Sequence, residues 1–81
     1  MNHRDQLLLL AGTFAAARKL SMGRVSTLVR GGGRFFDGIA AGRECTMATF
    51  EFCIHWFSDH WPPETAWPDG ITRPEPKASA A

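Results

Sequence analysis

The sequence predicts an all-α domain of four helices, and three observations predict it. Apolar residues recur at helical spacing, most clearly at Met47, Phe50, Ile54, Phe57 and Trp61. Start and stop signals bracket the apolar stretches: Ser21 and Thr46 in front, and Gly31-Gly32-Gly33, Gly42 and Pro62-Pro63 behind. No stretch alternates apolar and polar residues as a half-buried strand does, and there is no internal repeat.

The first helix is expected over residues 4–19. Leu7, Leu10, Ala11, Phe14 and Ala17 fall on one of its faces, and Leu8 and Leu9 lie off that face, against a second partner. Arg18 and Lys19 in its last turn suit the negative end of the helix dipole. The second helix, 21–30, takes Ser21 as N-cap and Val25, Leu28 and Val29 as its buried stripe. The glycine run ends it, because glycine accepts left-handed backbone angles at a helix exit. The third helix, 34–41, is short. It carries Phe35, Phe36 and Ile39, is weakened by about 1 kcal/mol at Gly38 relative to alanine, and stops at Gly42. The fourth, 46–61, starts at the Thr46 cap and closes at the proline pair.

Phe52 and Trp56 sit four apart on a different face of that helix. Two coverings are open: a C-terminal tail that returns with Trp67, Pro68 and Ile71, or a second subunit. The folded domain is expected to span 1–73. Residues 74–81, rich in proline, alanine and serine, are expected to be a disordered tail.

Composition narrows the function classes. Eighty-one residues make one domain. A chain of that size buries roughly 60% of the surface it exposes unfolded. That leaves little room for a catalytic pocket beside a core, and a dimer interface would add stability. Nothing is expected to be catalytic. There is no tyrosine, and Cys53 and His55, two apart, point apart on a helix. His55, His60 and Cys53 form no recognised metal spacing, so neither metal nor cofactor is expected. Cys45 and Cys53 read as reduced thiols of a cytoplasmic protein. Arg4 followed by Leu7-Leu8-Leu9-Leu10 has some likeness to an export signal. Asp5 neutralises the basic start, however, and Arg18-Lys19 follow the apolar run, so the segment reads as the first helix. The run is too short to span a bilayer, and no membrane partner is expected.

The net charge of +1 hides an asymmetry. Residues 18–43 hold six basic side chains (Arg18, Lys19, Arg24, Arg30, Arg34, Arg43) against Asp37 alone, a net of +5, and the remainder of the chain is net −4. A basic centre with acidic flanks steers a protein toward a polyanion and orients it there. The same centre has the layout of a helix-turn-helix, in which a second short helix enters the DNA major groove. Ser26, small and mid-helix, tolerates a close neighbour, with Val25 and Val29 behind it. Phe36 follows ten residues later and Ile39 one turn after that. A phosphate-cradling role for the glycine run finds no dinucleotide or Walker fingerprint.

This order resembles the lambda-repressor-like class of small helix-turn-helix proteins of bacteria and their mobile elements. The resemblance rests on Leu20-Ser21-Met22-Gly23-Arg24-Val25-Ser26-Thr27, similar to the entry of such proteins. It rests also on Trp56-Phe57-Ser58-Asp59-His60-Trp61-Pro62 with Trp67-Pro68, similar to their C-terminal run, and it covers about 5–74. Two positions depart from the class. Arg30 stands where the turn usually has glycine, and Gly31 where it usually has an apolar residue. The turn is therefore expected to be longer or looser, with contacts displaced by one or two positions.

The class geometry implies which residues meet DNA. Gly33, Arg34 and Phe35 would face base edges, with Gly32 and Asp37 nearby, and Arg34 would bond guanine O6 and N7 together. Phe35 would touch a thymine methyl or serve as a second core phenylalanine. Arg24, Arg30 and Arg43 would hold phosphates, and Ser21 and Thr46 would either add helix-start N–H groups to them or simply cap. The implied function is a sequence-specific, double-stranded-DNA-binding transcriptional regulator, working as a homodimer in the cytoplasm at the nucleoid. Two alternatives stand beside it. One is an architectural or excision factor that bends DNA. The other is a protein-binding adaptor or antiactivator that holds a regulatory partner through Phe52, Trp56 and the tail's Trp67.

Overall fold

Each of three helices starts where a short polar side chain accepts one of the backbone N–H groups left over at a helix N-terminus. The structure, a computed structural model, describes residues 2–74. In α1 (His3–Arg18) the Asn2 side chain accepts from Asp5 N at 2.8 Å. In α2 (Met22–Arg30) Ser21 Oγ accepts from Arg24 N at 3.1 Å. In α4 (Met47–His60) Thr46 Oγ1 accepts from Thr49 N at 3.2 Å. The remaining helix, α3 (Phe35–Ala40), has Arg34 at its N-cap and no cap from that side chain. The described residues are helical and contain no strand.

The cap for α3 comes instead from across the fold. Ser26, buried in the middle of α2, donates to Met22 O (2.9 Å) and accepts from Phe36 N (3.1 Å). One hydroxyl thus satisfies a buried N–H of α3's first turn and pins α3 against α2. Close backbone approach reinforces the contact: a Cβ on Gly23 would lie 3.4 Å from Gly33 O, and one on Gly33 would lie 3.6 Å from Thr27 Oγ1. The four residues 31–34 join the two helices. Gly31 ends α2 at φ +80°, and its N–H bonds Thr27 O.

The other helices close over this pair. α1 packs against α2, α3 and α4. The core centres on Phe57, fully buried, whose ring lies 5.6 Å from Phe14, 6.0 Å from Phe36 and 6.3 Å from Trp61 between centroids. Leu7, Leu10, Ala11, Val25, Val29, Cys53 and Ile54 fill the space around it. Aromatic pairs at these distances add to the burial that drives collapse.

Several sequence expectations are corrected. Lys19 lies outside α1, in a left-handed cap at φ +58°, with Leu20 N bonded to Ala15 O; the chain turns too sharply there for another helical residue. Ala15 is buried on α1, whereas Ala17 is half-buried. Leu28 is 43% exposed; Ser26 takes its place in the buried stripe because α3 crosses that side of α2. Met47 is also exposed, at the start of α4 where the core has ended. Arg34 precedes α3, and Ala41 follows it as C-cap.

The tail is clasped to α4 through Trp61 and Ser58. Trp67 packs its ring 4.9 Å from Trp61 and donates its indole N–H to Ile71 O, and Ile71 is buried. Arg73 donates to Ser58 Oγ (3.1 Å) and Ser58 O (2.8 Å), satisfying a carbonyl in the last turn of α4. This path leaves Phe52 48% exposed, so the tail does not cover it as one reading of the sequence expected. Trp56 is half-buried between Phe14, Phe57 and the stacked ring of His60. Of the tail expected to be disordered, 74–81, all but Pro74 lies outside the described residues.

Replacing Ser26 with alanine strands the buried Phe36 N–H. The Ser26→Ala protein is expected to lose about 1–3 kcal/mol of unfolding free energy in urea titration.

Candidate nucleic-acid interface

In the turn between α2 and α3, Gly33 lies in van der Waals contact with α2, while Gly31 and Gly32 border open space. Beside this turn lies a shallow groove of about 460 Å³ lined by Arg30, Gly32, Gly33, Arg34, Phe35 and Arg43. Three guanidinium side chains from the end of α2, the cap of α3 and the segment after α3 therefore share one concavity. All three arginines are exposed. None of them makes an ion pair with a described carboxylate. Their like charges repel, and water and salt moderate the repulsion.

Each arginine is seated differently. The Arg30 guanidinium carbon lies 5.7 Å from the Phe35 ring centroid and 4.8 Å from that of Phe52. Both distances are within cation–π range. Arg43 lies along the face of α3 that Gly38 leaves bare, where an added Cβ would meet Arg43 Nε at 3.4 Å and Cζ at 3.5 Å. The segment bearing Arg43 is itself anchored. Arg43 N bonds Gly38 O (2.9 Å), and Arg4 of α1 donates to Gly42 O (3.0 Å). Arg34 has no side-chain partner among the described residues.

The remaining expected contacts fall elsewhere. Arg24 is exposed on α2 but does not line the groove. Ser21 and Thr46 spend their hydroxyls on capping, as their positions suggested. Phe35 is half-buried, edge-on to Phe36 at 4.8 Å, so it is shared between core and groove. Asp37 is exposed in the first turn of α3 and is not among the groove residues. The sequence pattern places Phe52 on a different surface, with Trp56. Its pairing with Arg30 spans 22 positions in the chain, and no local pattern signals it.

The two thiols lie in a different environment. Burial pushes the Cys53 thiol up to about 12, with Arg30 pulling weakly the other way and Cys45 adding to the rise. Burial also raises Cys45, opposed by Arg4. Both remain protonated thiols at neutral pH and are poor nucleophiles. Among the described residues no group of three or more His, Cys, Asp or Glu side chains is placed to hold a metal ion. No described helix is long and apolar enough to cross a membrane.

Two measurements check this geometry. Gly38→Ala is expected to add about 0.5–1 kcal/mol of stability through helix propensity while displacing the Arg43 guanidinium from α3. A net loss in thermal denaturation would show that the arginine's seat outweighs propensity. The second concerns alkali. An unfolded thiol ionises near 9.0, while folded Cys53 holds its proton to about 12. Stability from this group is thus complete below pH 9 and declines as pH rises through the window above it. Cys53→Ala is expected to flatten part of that alkaline decline in pH-dependent urea titrations.

No family model, curated protein or solved structure matches the chain, so the case for function rests on the three arginines and the groove they share.

Proposed function

We propose that the protein is a sequence-specific DNA-binding transcriptional regulator, with the α2–turn–α3 unit acting as a helix-turn-helix. The observation that carries this reading is the convergence of Arg30, Arg34 and Arg43 on one open groove beside α3. Such a surface suits a polyanion, because neutralising phosphates releases condensed counterions. The four-residue connection between α2 and α3 has the length of a helix-turn-helix turn. Six residues of helix extend only about 9 Å, so α3 reaches bases chiefly through its N-terminal end. Arg34 is the base reader in this scheme, with Gly33 and Phe35 against the base edges. Arg30 and Arg43 hold phosphates, and Arg24 adds a contact farther along the backbone. A dimer on a two-fold operator would double these few contacts, and the site of action would be the nucleoid in the cytoplasm.

A second reading has its own observation. Phe52 and Met47 are exposed on α4, and Phe52 lines a groove of about 560 Å³ with Ala48, Glu51, His55, Trp56 and Asp59. An apolar strip with acidic edges suits a protein partner, as in an adaptor or antiactivator.

Selection from random double-stranded DNA at two salt concentrations, with the mass of the protein measured in solution, separates these readings. The DNA reading expects an enriched consensus with two-fold symmetry. It also expects Arg30→Glu with Arg34→Glu to weaken binding by at least about 100-fold while the helical circular dichroism is kept. Arg43→Ala alone is expected to reduce the slope of log affinity against log salt by about one and to leave the consensus unchanged. Failure to enrich any DNA would overturn the reading in favour of the protein partner.

A further inference from the structure

We infer that Phe52 is a positioning residue for DNA binding: from α4, outside the α2–turn–α3 unit, it holds the Arg30 guanidinium at the lip of the three-arginine groove. This inference rests on the DNA reading above. Arg30 is the last residue of α2, so its long side chain leaves the helix where no neighbouring turn restrains it. Two aromatic rings supply the restraint. Phe35 approaches from α3 at 5.7 Å and Phe52 from α4 at 4.8 Å, the nearer of the two.

The chemistry of the guanidinium makes this arrangement useful. Its faces stack on aromatic rings, while its N–H donors point outward in the plane of the group. A guanidinium held against a ring by its face keeps these edge donors available for a phosphate. The rings also remove much of the side-chain freedom that binding would otherwise have to remove. Among the described residues no hydrogen bond or ion pair occupies those donors.

Phe52 does no packing work in the core. It is 48% exposed and absent from the core cluster, which takes Cys53, Ile54 and Phe57 from the same helix. A large apolar side chain kept at the surface beside a cation differs from its neighbours on the α4 strip. Trp56 is half-buried against Phe14 and Phe57 and is needed for packing. The strip and the arginine groove thus meet at Phe52, which belongs functionally to the groove.

The test is a double-mutant cycle with a second readout that needs no DNA. On the selected DNA, Phe52→Ala is expected to weaken binding about three- to ten-fold, in keeping with a single cation–π contact. In an Arg30→Ala background the same change is expected to cost less than about two-fold, because the group it positions is gone. Phe52→Trp is expected to retain affinity and Phe52→Leu to lose it, since leucine keeps apolar bulk without a π face. Equal losses from Phe52→Ala in both backgrounds, or full affinity in Phe52→Leu, would overturn the positioning role. In the free protein, 15N relaxation of the Arg30 Nε–H group is expected to show a rigid group in the wild type and a mobile one in Phe52→Ala. Equal mobility in the two proteins overturns the bracket itself. A rigid Arg30 in a protein that enriches no DNA overturns the DNA reading and, with it, the role assigned to Phe52.

Discussion

One hydroxyl governs the part of the molecule that bears the basic groove. Ser26 Oγ accepts the Phe36 N–H in a buried setting while donating to Met22 O in its own helix. A six-residue helix cannot stand alone, because nucleation costs more than so few hydrogen bonds return. The serine supplies the cap that Arg34 lacks, and it supplies it from α2. The direction of α3 and the path of the turn before it are therefore set relative to α2. The groove between Arg30, Arg34 and Arg43 depends on that alignment. Phe36, fully buried next to the bonded N–H, ties the same point to Phe57 and the aromatic centre.

The second constraint is where charge is allowed to gather. Six of the nine basic residues lie within residues 18–43, while the carboxylates lie mostly in α4 and beyond. Folding does not mix the two sets at the groove: none of its arginines finds a described carboxylate. Two other arginines are given structural work. Arg4 holds Gly42 O after α3, and Arg73 holds Ser58 across the end of α4, stacked over Trp67. A protein that ties down some guanidinium groups and leaves others clustered and open keeps a local field that an anion can satisfy. The proposed role in DNA binding is the simplest use of such a field, and the acidic edges of the α4 strip would orient the molecule by repulsion.

Much of the local structure was legible because it is enforced within one helical turn. Ser21 and Thr46 act on N–H groups three residues ahead, and Gly31 and Gly42 take positive φ where their helices end. Leu7, Leu10, Phe14, Ile54 and Phe57 recur at a period the helix itself dictates. The groove was partly legible. Its basic residues and glycines stand out in composition, and the grouping of Arg30, Arg34 and Arg43 was expected, but Arg24 was expected with them and stands apart. A helix places residues six positions apart on different faces, and the turn gathers only those near its own ends.

By itself the amino-acid sequence determined the helical class, most of the helix limits and the basic character of the α2–α3 region, since caps, stops and periodic burial are short-range properties of the chain. Only the tertiary structure decided which residues at the margins are buried and what each long side chain meets. Leu28 and Met47 fit a helical stripe yet face outward, because exposure depends on where another helix happens to cross. Phe52 reaches Arg30, and Arg73 reaches Ser58, across separations of 22 and 15 residues. Contacts of that kind have no period in the sequence, because they arise only when separate helices and the tail close on a common core.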